Sequence, residues 1–370
     1  MFPPFSFCYP QPAYPYLQLP ALQITSQVPY YSQPVLYGAS IQYVYAYVPY
    51  PMPALAAYSA NCFEGIRGTG EWSGPEGYGG PGRGFGSAVG GGRARNDAQS
   101  QEIVNANAAK FEQYVYEDAQ TGKTLEYSLY VPEGISPGDK LPLVMYMPDL
   151  TGSNIGAEAI VRQYFGANVW VTDEFQQKHP SFVLVPAFMG MATSDSWQVS
   201  DEVDMTIRLI ENLESRYTID EARIYTTGQS MGCMASLYLN SKHPNFFAAS
   251  MYVSGQWDIS VLKVLETQKF FYIVAGGDKK ASTGQDEVMA MFDADGVPYS
   301  FGEWNAQDDQ AAQDAAAEAL IAEGLSANMV RFETGTVLKG QDRMEHMASF
   351  NHAYKLGPIR DWLFNQSNDG

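Results

Sequence analysis

The chain has 370 residues, of which 22 are basic and 41 acidic, for a net charge of −19, with four histidines and three cysteines. That acidity argues against a nucleic-acid partner, since binding a polyanion relies on clustered Lys and Arg to neutralise phosphates and no basic patch is visible. Cys8, Cys62 and Cys233 are too few and too scattered for a disulfide framework or a zinc site. No H-E-x-x-H or other metal spacing occurs, so neither metal nor cofactor is implied.

From Met1 to Phe63 the chain carries no charged residue and is dominated by Tyr, Pro, Gln, Ala and Val, as in "YPQPAYPYLQLP"; from Gly65 to Gly92 it turns glycine-rich, as in "GPEGYGGPGRGFG". Prolines interrupt helix and strand periodicity, and glycine raises the entropy cost of ordering. Residues 1–95 therefore read as a disordered tail, with aromatic content that would suit surface association and a low-complexity extension as the plainer reading. "GYGGPG" at Gly77 to Gly82 matches G-x-G-x-x-G in form only, because no strand precedes it and Pro81 sits inside it. No run of about 18 apolar residues suggests a spanning helix. Residues 1 to 20 lack the basic start and apolar core of a secretory signal, so the compartment is not read from them.

A catalytic domain is expected over 108–367. "KFEQYVYEDAQTGKTLEYSLYVP" alternates on both sides of Thr121-Gly122, an antiparallel hairpin signal. Apolar runs follow in "LPLVMYMP", "SFVLVPAFM", "ARIYTTG", "FFAASMYVSG", "KFFYIVAGG" and "NMVRFETG", with helical patterns between them such as "DEVDMTIRLIENLESRY" and "QDDQAAQDAAAEALIAEG". Strands this continuously apolar are buried on both faces, and alternation with helices implies a mostly parallel, doubly wound α/β sheet behind the hairpin.

Two G-x-S-x-G matches occur, "GISPG" at Gly134 to Gly138 and "GQSMG" at Gly228 to Gly232. A nucleophile elbow needs a strand before the serine, a helix after it, and a backbone N–H on the next residue for the oxyanion hole. After Ser136 comes Pro137, which has no N–H, within a turn-like segment. After Ser230 comes Met231, with the strand-like "ARIYTT" before and the helical "MGCMASLYLNSKHP" beyond, so Ser230 is the candidate nucleophile.

A serine hydroxyl needs a base to take its proton. His179 precedes the serine, and His243 lies 13 residues along the helix that Ser230 starts, roughly 20 Å away at 1.5 Å per residue; both read as structural. Of His346 and His352, His346 is preferred because it falls at a loop-to-helix junction, whereas His352 lies inside a helical pattern. Asp278 in "IVAGGDKK", after the strand two beyond the elbow, is the candidate acid, with Asp258 as runner-up. The second oxyanion donor is expected at the backbone N–H of Asp149 or Leu150 in "MPDLTG", with the Asp149 carboxylate turned away in an Asx turn. Gln229, Trp197 and Trp257 are candidates to line a substrate cleft, with packing as the equal alternative for the tryptophans. Cys233 reads as a small apolar packing residue.

Taken together, "TGKTLEYSLYVPEG", "LPLVMYMPD", "YTTGQSMGCMAS", "AGGD" and "HMASFNHAYKLGPIRDWLFNQ" make residues 111 to 366 resemble α/β-hydrolase esterases of the polyhydroxybutyrate-depolymerase and feruloyl-esterase families, including bacterial proteins labelled predicted peptidases. The resemblance implies an α/β-hydrolase fold, no cofactor, and a triad at the positions of Ser230, Asp278 and His346. It also leaves an extracellular or cell-surface location open. The departure is at the oxyanion loop, where the family usually has a His-Gly pair and this chain has "MPDLTG". The expectation is a serine hydrolase cleaving small-molecule or polysaccharide-linked carboxylic esters through an acyl-enzyme. Alternatives are a peptidase or amidase with the same triad, or a catalytically idle surface-binding protein whose tail carries the role. Oligomeric state is not legible.

Overall fold

In the computed structural model, the described residues are 32–37, 40–45, 96–134, 138–340 and 342–368. Most of the 1–95 tail, Ser136 and the "GYGGPG" segment lie outside them. Within the tail, strands β1 (Ser32–Tyr37) and β2 (Ser40–Tyr45) form an antiparallel ladder with Tyr37 opposite Ser40. Its segments are rich in β-branched and aromatic residues, and Pro34 is tolerated because both strands of a two-stranded ladder are edges.

Residues 74–370 form a separate unit. Helix α1 (Ala98–Asn107) begins at Asp97, whose side chain accepts from the Ser100 N–H, and it sinks Val104 into the core. This helix was missed because its sequence, "AQSQEIVNAN", carries too few apolar residues to show a 3.6 period.

The hairpin is β3 (Glu112–Glu117) and β4 (Thr124–Tyr130), turning through Gly122 at φ 69°. The parallel strands follow: β5 (Leu141–Met147), β6 (Phe182–Ala187), β7 (Ile219–Gln229), β8 (Ala249–Val253), β9 (Phe270–Ala275), β10 (Ser300–Trp304) and β11 (Ala327–Phe332). The sheet order is β10-β11-β9-β8-β7-β5-β6-β4-β3, with only β3 and β4 running antiparallel to their neighbours. Fold class and hairpin therefore agree with the sequence reading. The edge strand β10, "SFGEW", was not anticipated, because its buried positions are only its ends and Gly302 interrupts the pattern.

Between the strands lie α2 (Ala157–Val161), α3 (Phe165–Asn168), α4 (Asp173–Lys178), α5 (Asp201–Glu214), α6 (Met231–Lys242), α7 (Lys279–Asp295) and α8 (Gln310–Ala322), with α9 (Glu345–Lys355) and α10 (Gly357–Phe364) after β11. Helices cover both faces of the sheet, so strands β5, β6, β8 and β9 are buried along almost their whole length. Ser230, Asp278 and the Asp149 loop thus all fall at the carboxyl ends of parallel strands, where open α/β sheets place their ligands. Among the described residues no helix is long and apolar enough to cross a membrane.

Candidate active site

Ser230 sits between β7 and α6 at φ 52°, ψ −115°, a conformation that costs a non-glycine residue about 1–3 kcal/mol. Its backbone N–H is held by the Val253 carbonyl at 2.9 Å and its carbonyl accepts the Met234 N–H at 3.0 Å. The flanking glycines are required sterically. A Cβ on Gly228 would stand 2.4 Å from the Gly232 carbonyl carbon, and one on Gly232 would stand 2.1 Å from the Met147 carbonyl oxygen. The elbow is therefore pressed against the end of β5 at Met147 and Pro148.

Of the four histidines, His346 reaches the serine. Its Nε2 lies 2.8 Å from Ser230 Oγ and its Nδ1 2.6 Å from Asp278 Oδ2. Ser230 and Asp278 are buried, while the His346 ring retains some exposure. Asp278 also caps α7. His346, the second residue of α9, is further braced where Ser349 Oγ donates to the His346 carbonyl at 2.8 Å and meets Ser254 Oγ at 2.7 Å. Ser254, at φ 49°, carried no sequence signal, because its partner is 95 residues away.

The other candidates have different partners. His179 Nε2 lies 2.9 Å from Asp361, and His243 ends α6 3.9 Å from Asp204. His352 packs against Phe332. Asp258 caps the short helical turn Ile259–Thr267 through the Ser260 N–H.

In the loop after β5, Asp149 Oδ1 accepts the Thr151 N–H at 2.7 Å, forming an Asx turn, and Oδ2 accepts the Gln229 amide at 2.7 Å. Gln229 Oε1 in turn accepts the Tyr146 hydroxyl at 2.9 Å. Gln229, a candidate to line a cleft, is buried with both ends of its amide engaged between the loop and Tyr146. The helix N-terminus leaves the Met231 N–H without an intrahelical partner and presents positive partial charge.

Trp257 is a packing residue, 4% exposed between Trp197 and Tyr238. Trp197 is 41% exposed at φ 61°, with Met189 and Met191 exposed on the same loop. That loop is tied to the elbow by Thr193 Oγ1 donating to the Met231 carbonyl at 3.1 Å, and to the start of α7 by the Asp195–Lys280 ion pair at 2.7 Å. Cys233 is buried, and burial raises its thiol pKa far above the ordinary value. Among the described residues no cluster of three or more His, Cys, Asp or Glu side chains is placed to hold a metal ion.

A mostly parallel sheet with a strained serine elbow after its fifth strand defines an α/β-hydrolase of the serine hydrolase type. The chain belongs to the esterase family whose model, described as "Putative esterase", matches residues 119–355. Among solved structures, a thermostable esterase is 22% identical with a TM-score of 0.56, over 71% of this chain and 64% of that one. The chain thus spans a little under two thirds of that relative. A feruloyl esterase module from Clostridium thermocellum, complexed with sinapinate, is 13% identical with a TM-score of 0.50, over 74% of this chain and 94% of that one. No curated protein matches the chain.

Proposed function

We propose that this protein hydrolyses carboxylic esters through an acyl-enzyme, with Ser230 as nucleophile, His346 as general base and then acid, and Asp278 as the group that orients the imidazole. The observation that carries this is the unbroken chain from Asp278 Oδ2 through His346 to Ser230 Oγ, at 2.6 and 2.8 Å. His346 Nε2 takes the hydroxyl proton as Oγ attacks the ester carbonyl, while Asp278 stabilises the imidazolium that forms. The developing oxyanion faces the Met231 N–H and the backbone N–H of Asp149 or Leu150, each such donor being worth about 10²–10³ in turnover. The intermediate collapses by expelling the alcohol, which takes the proton from His346, and water then repeats the sequence on the acyl-enzyme. Esters are favoured over amides because an alkoxide needs less help in leaving. Small-molecule or polysaccharide-linked esters are the substrate class.

The test uses the full chain with a fluorophosphonate probe and short acyl p-nitrophenyl esters and anilides, beside Ser230→Ala. Labelling and ester turnover should both depend on Ser230, with kcat falling by at least about 10³-fold in the variant. Labelling and turnover that survive unchanged in Ser230→Ala would overturn the proposal. Anilides cleaved faster than esters would move it to an amidase.

A further inference from the structure

The two segments that meet as Asp278 and His346 share a second contact one residue earlier on each side. Gly277 donates its backbone N–H to Glu345 Oε2 at 3.0 Å. A Cβ built on Gly277 would stand 1.9 Å from Glu345 Oε1 and 2.3 Å from Glu345 Cδ, so the carboxylate occupies the space that a side chain at Gly277 would take. Gly277 is not at positive φ. Its missing side chain therefore serves this approach and not a left-handed turn.

The paired contacts run in opposite directions. Asp278 reaches from the loop after β9 to the imidazole on α9, and Glu345 reaches from α9 back to the loop after β9. Helix α9 has need of such a tie: Met344 makes no side-chain cap, and no helix or strand lies between Phe332 and Glu345 among the described residues. A carboxylate in the first turn also suits the positive end of the helix.

Building on the triad reading above, we infer that Glu345 is a positioning residue, a latch seated on Gly277 that holds the His346 helix in register with Asp278 and Ser230. Its reach is the glycine backbone, so neither a charge partner nor a sequence motif would announce it.

The full-length protein would be compared as wild type, Glu345→Ala, Glu345→Gln, Gly277→Ala and the Glu345→Ala/Gly277→Ala double variant, measuring kcat, KM and melting temperature. Glu345→Ala and Gly277→Ala should each lower kcat roughly tenfold or more at nearly constant KM, since misplacing catalytic groups by an ångström costs up to about 10²-fold. Glu345→Gln keeps an oxygen that accepts the Gly277 N–H and should recover most of that loss. The double variant should be no slower than Glu345→Ala, because the new methyl then meets no carboxylate. Wild-type kcat in Glu345→Ala, or losses that multiply in the double variant, would overturn the latch. If Glu345→Ala does not fold, Gly277→Ala decides, and unchanged kcat there overturns it. Turnover surviving in Ser230→Ala would instead sink the triad reading itself.

Discussion

Four histidines compete for one serine, and partners separate them. His179 is paired with Asp361, His243 ends a helix, and His352 is pressed against Phe332 beside Lys339 and Lys355. Burial above all, with those two lysines adding, lowers the His352 pKa from 6.5 to about 4. The folded protein thus keeps His352 neutral where the unfolded chain, titrating near 6.5, binds a proton. Its contribution to stability is fully present above pH 6.5 and is lost as the pH falls from there through about 4. His352→Gln should therefore flatten the acid-side decline of unfolding free energy across that window in denaturant titrations, while keeping ester turnover near neutral pH. A decline parallel to wild type would contradict the account. At this scale the sequence separated His346 from His352 by its place at a loop-to-helix junction, with the family resemblance pointing the same way. For Gln229, the polarity of a side chain next to Ser230 is visible in sequence but its burial and its bonds to Asp149 and Tyr146 are not.

The elements were legible where hydrophobic period or turn chemistry was strong. The β3–β4 hairpin, the buried strands and the β7–Ser230–α6 elbow are all of this kind. The turn after β3 is also fixed from outside: Asp118 accepts two bonds from Arg208 on α5, at 2.7 and 2.9 Å, and further bonds from the Thr121 N–H and hydroxyl. The Arg208 guanidinium, foremost, holds the Asp118 carboxyl well below the usual carboxylate range. That stability is fully present above the unfolded value of about 3.9 and is lost as the pH falls from there through the depressed folded value. Asp118→Ala should cost about 1.5–3 kcal/mol at neutral pH, in the range for losing hydrogen bonds to a charged group at a part-buried pair. The gap to wild type in chemical denaturation should narrow below about pH 4. A pH-independent gap would mean that packing, not the ion pair, sets the cost. Nothing in "YEDAQTG" or "IRLIENL" announces that Asp118 and Arg208 meet, since 90 residues separate them.

For the unit spanning residues 74–370, helix α1 packs onto the core ahead of residue 108. Helix α1 buries Val104 and Ser100, and beyond it Lys110 bonds the Val171 carbonyl at 2.9 Å. Asn96 bonds the Gln163 carbonyl and Asn351, and Asp97 pairs with Lys355 on the His346 helix. A chain starting at residue 96 should melt within a degree or so of one starting at residue 74, whereas one starting at residue 108 should melt several degrees lower. Loss of a few kcal/mol moves a domain of this size by roughly 2–4 °C per kcal/mol. Equal melting of the 96 and 108 chains would show that α1 is dispensable. The sequence by itself determined what is local: strand and helix periods, the Met231 N–H that distinguishes one serine elbow from its proline-bearing decoy, and the order of serine, acid and histidine along the chain. The tertiary structure alone decided what depends on distant backbone approach: the 2.8 Å contact of the His346 imidazole with Ser230, which amide braces the Asp149 loop, and which carboxylate rests on Gly277. Those contacts join residues 68 to 116 positions apart, a separation over which neither periodicity nor motif spacing carries information.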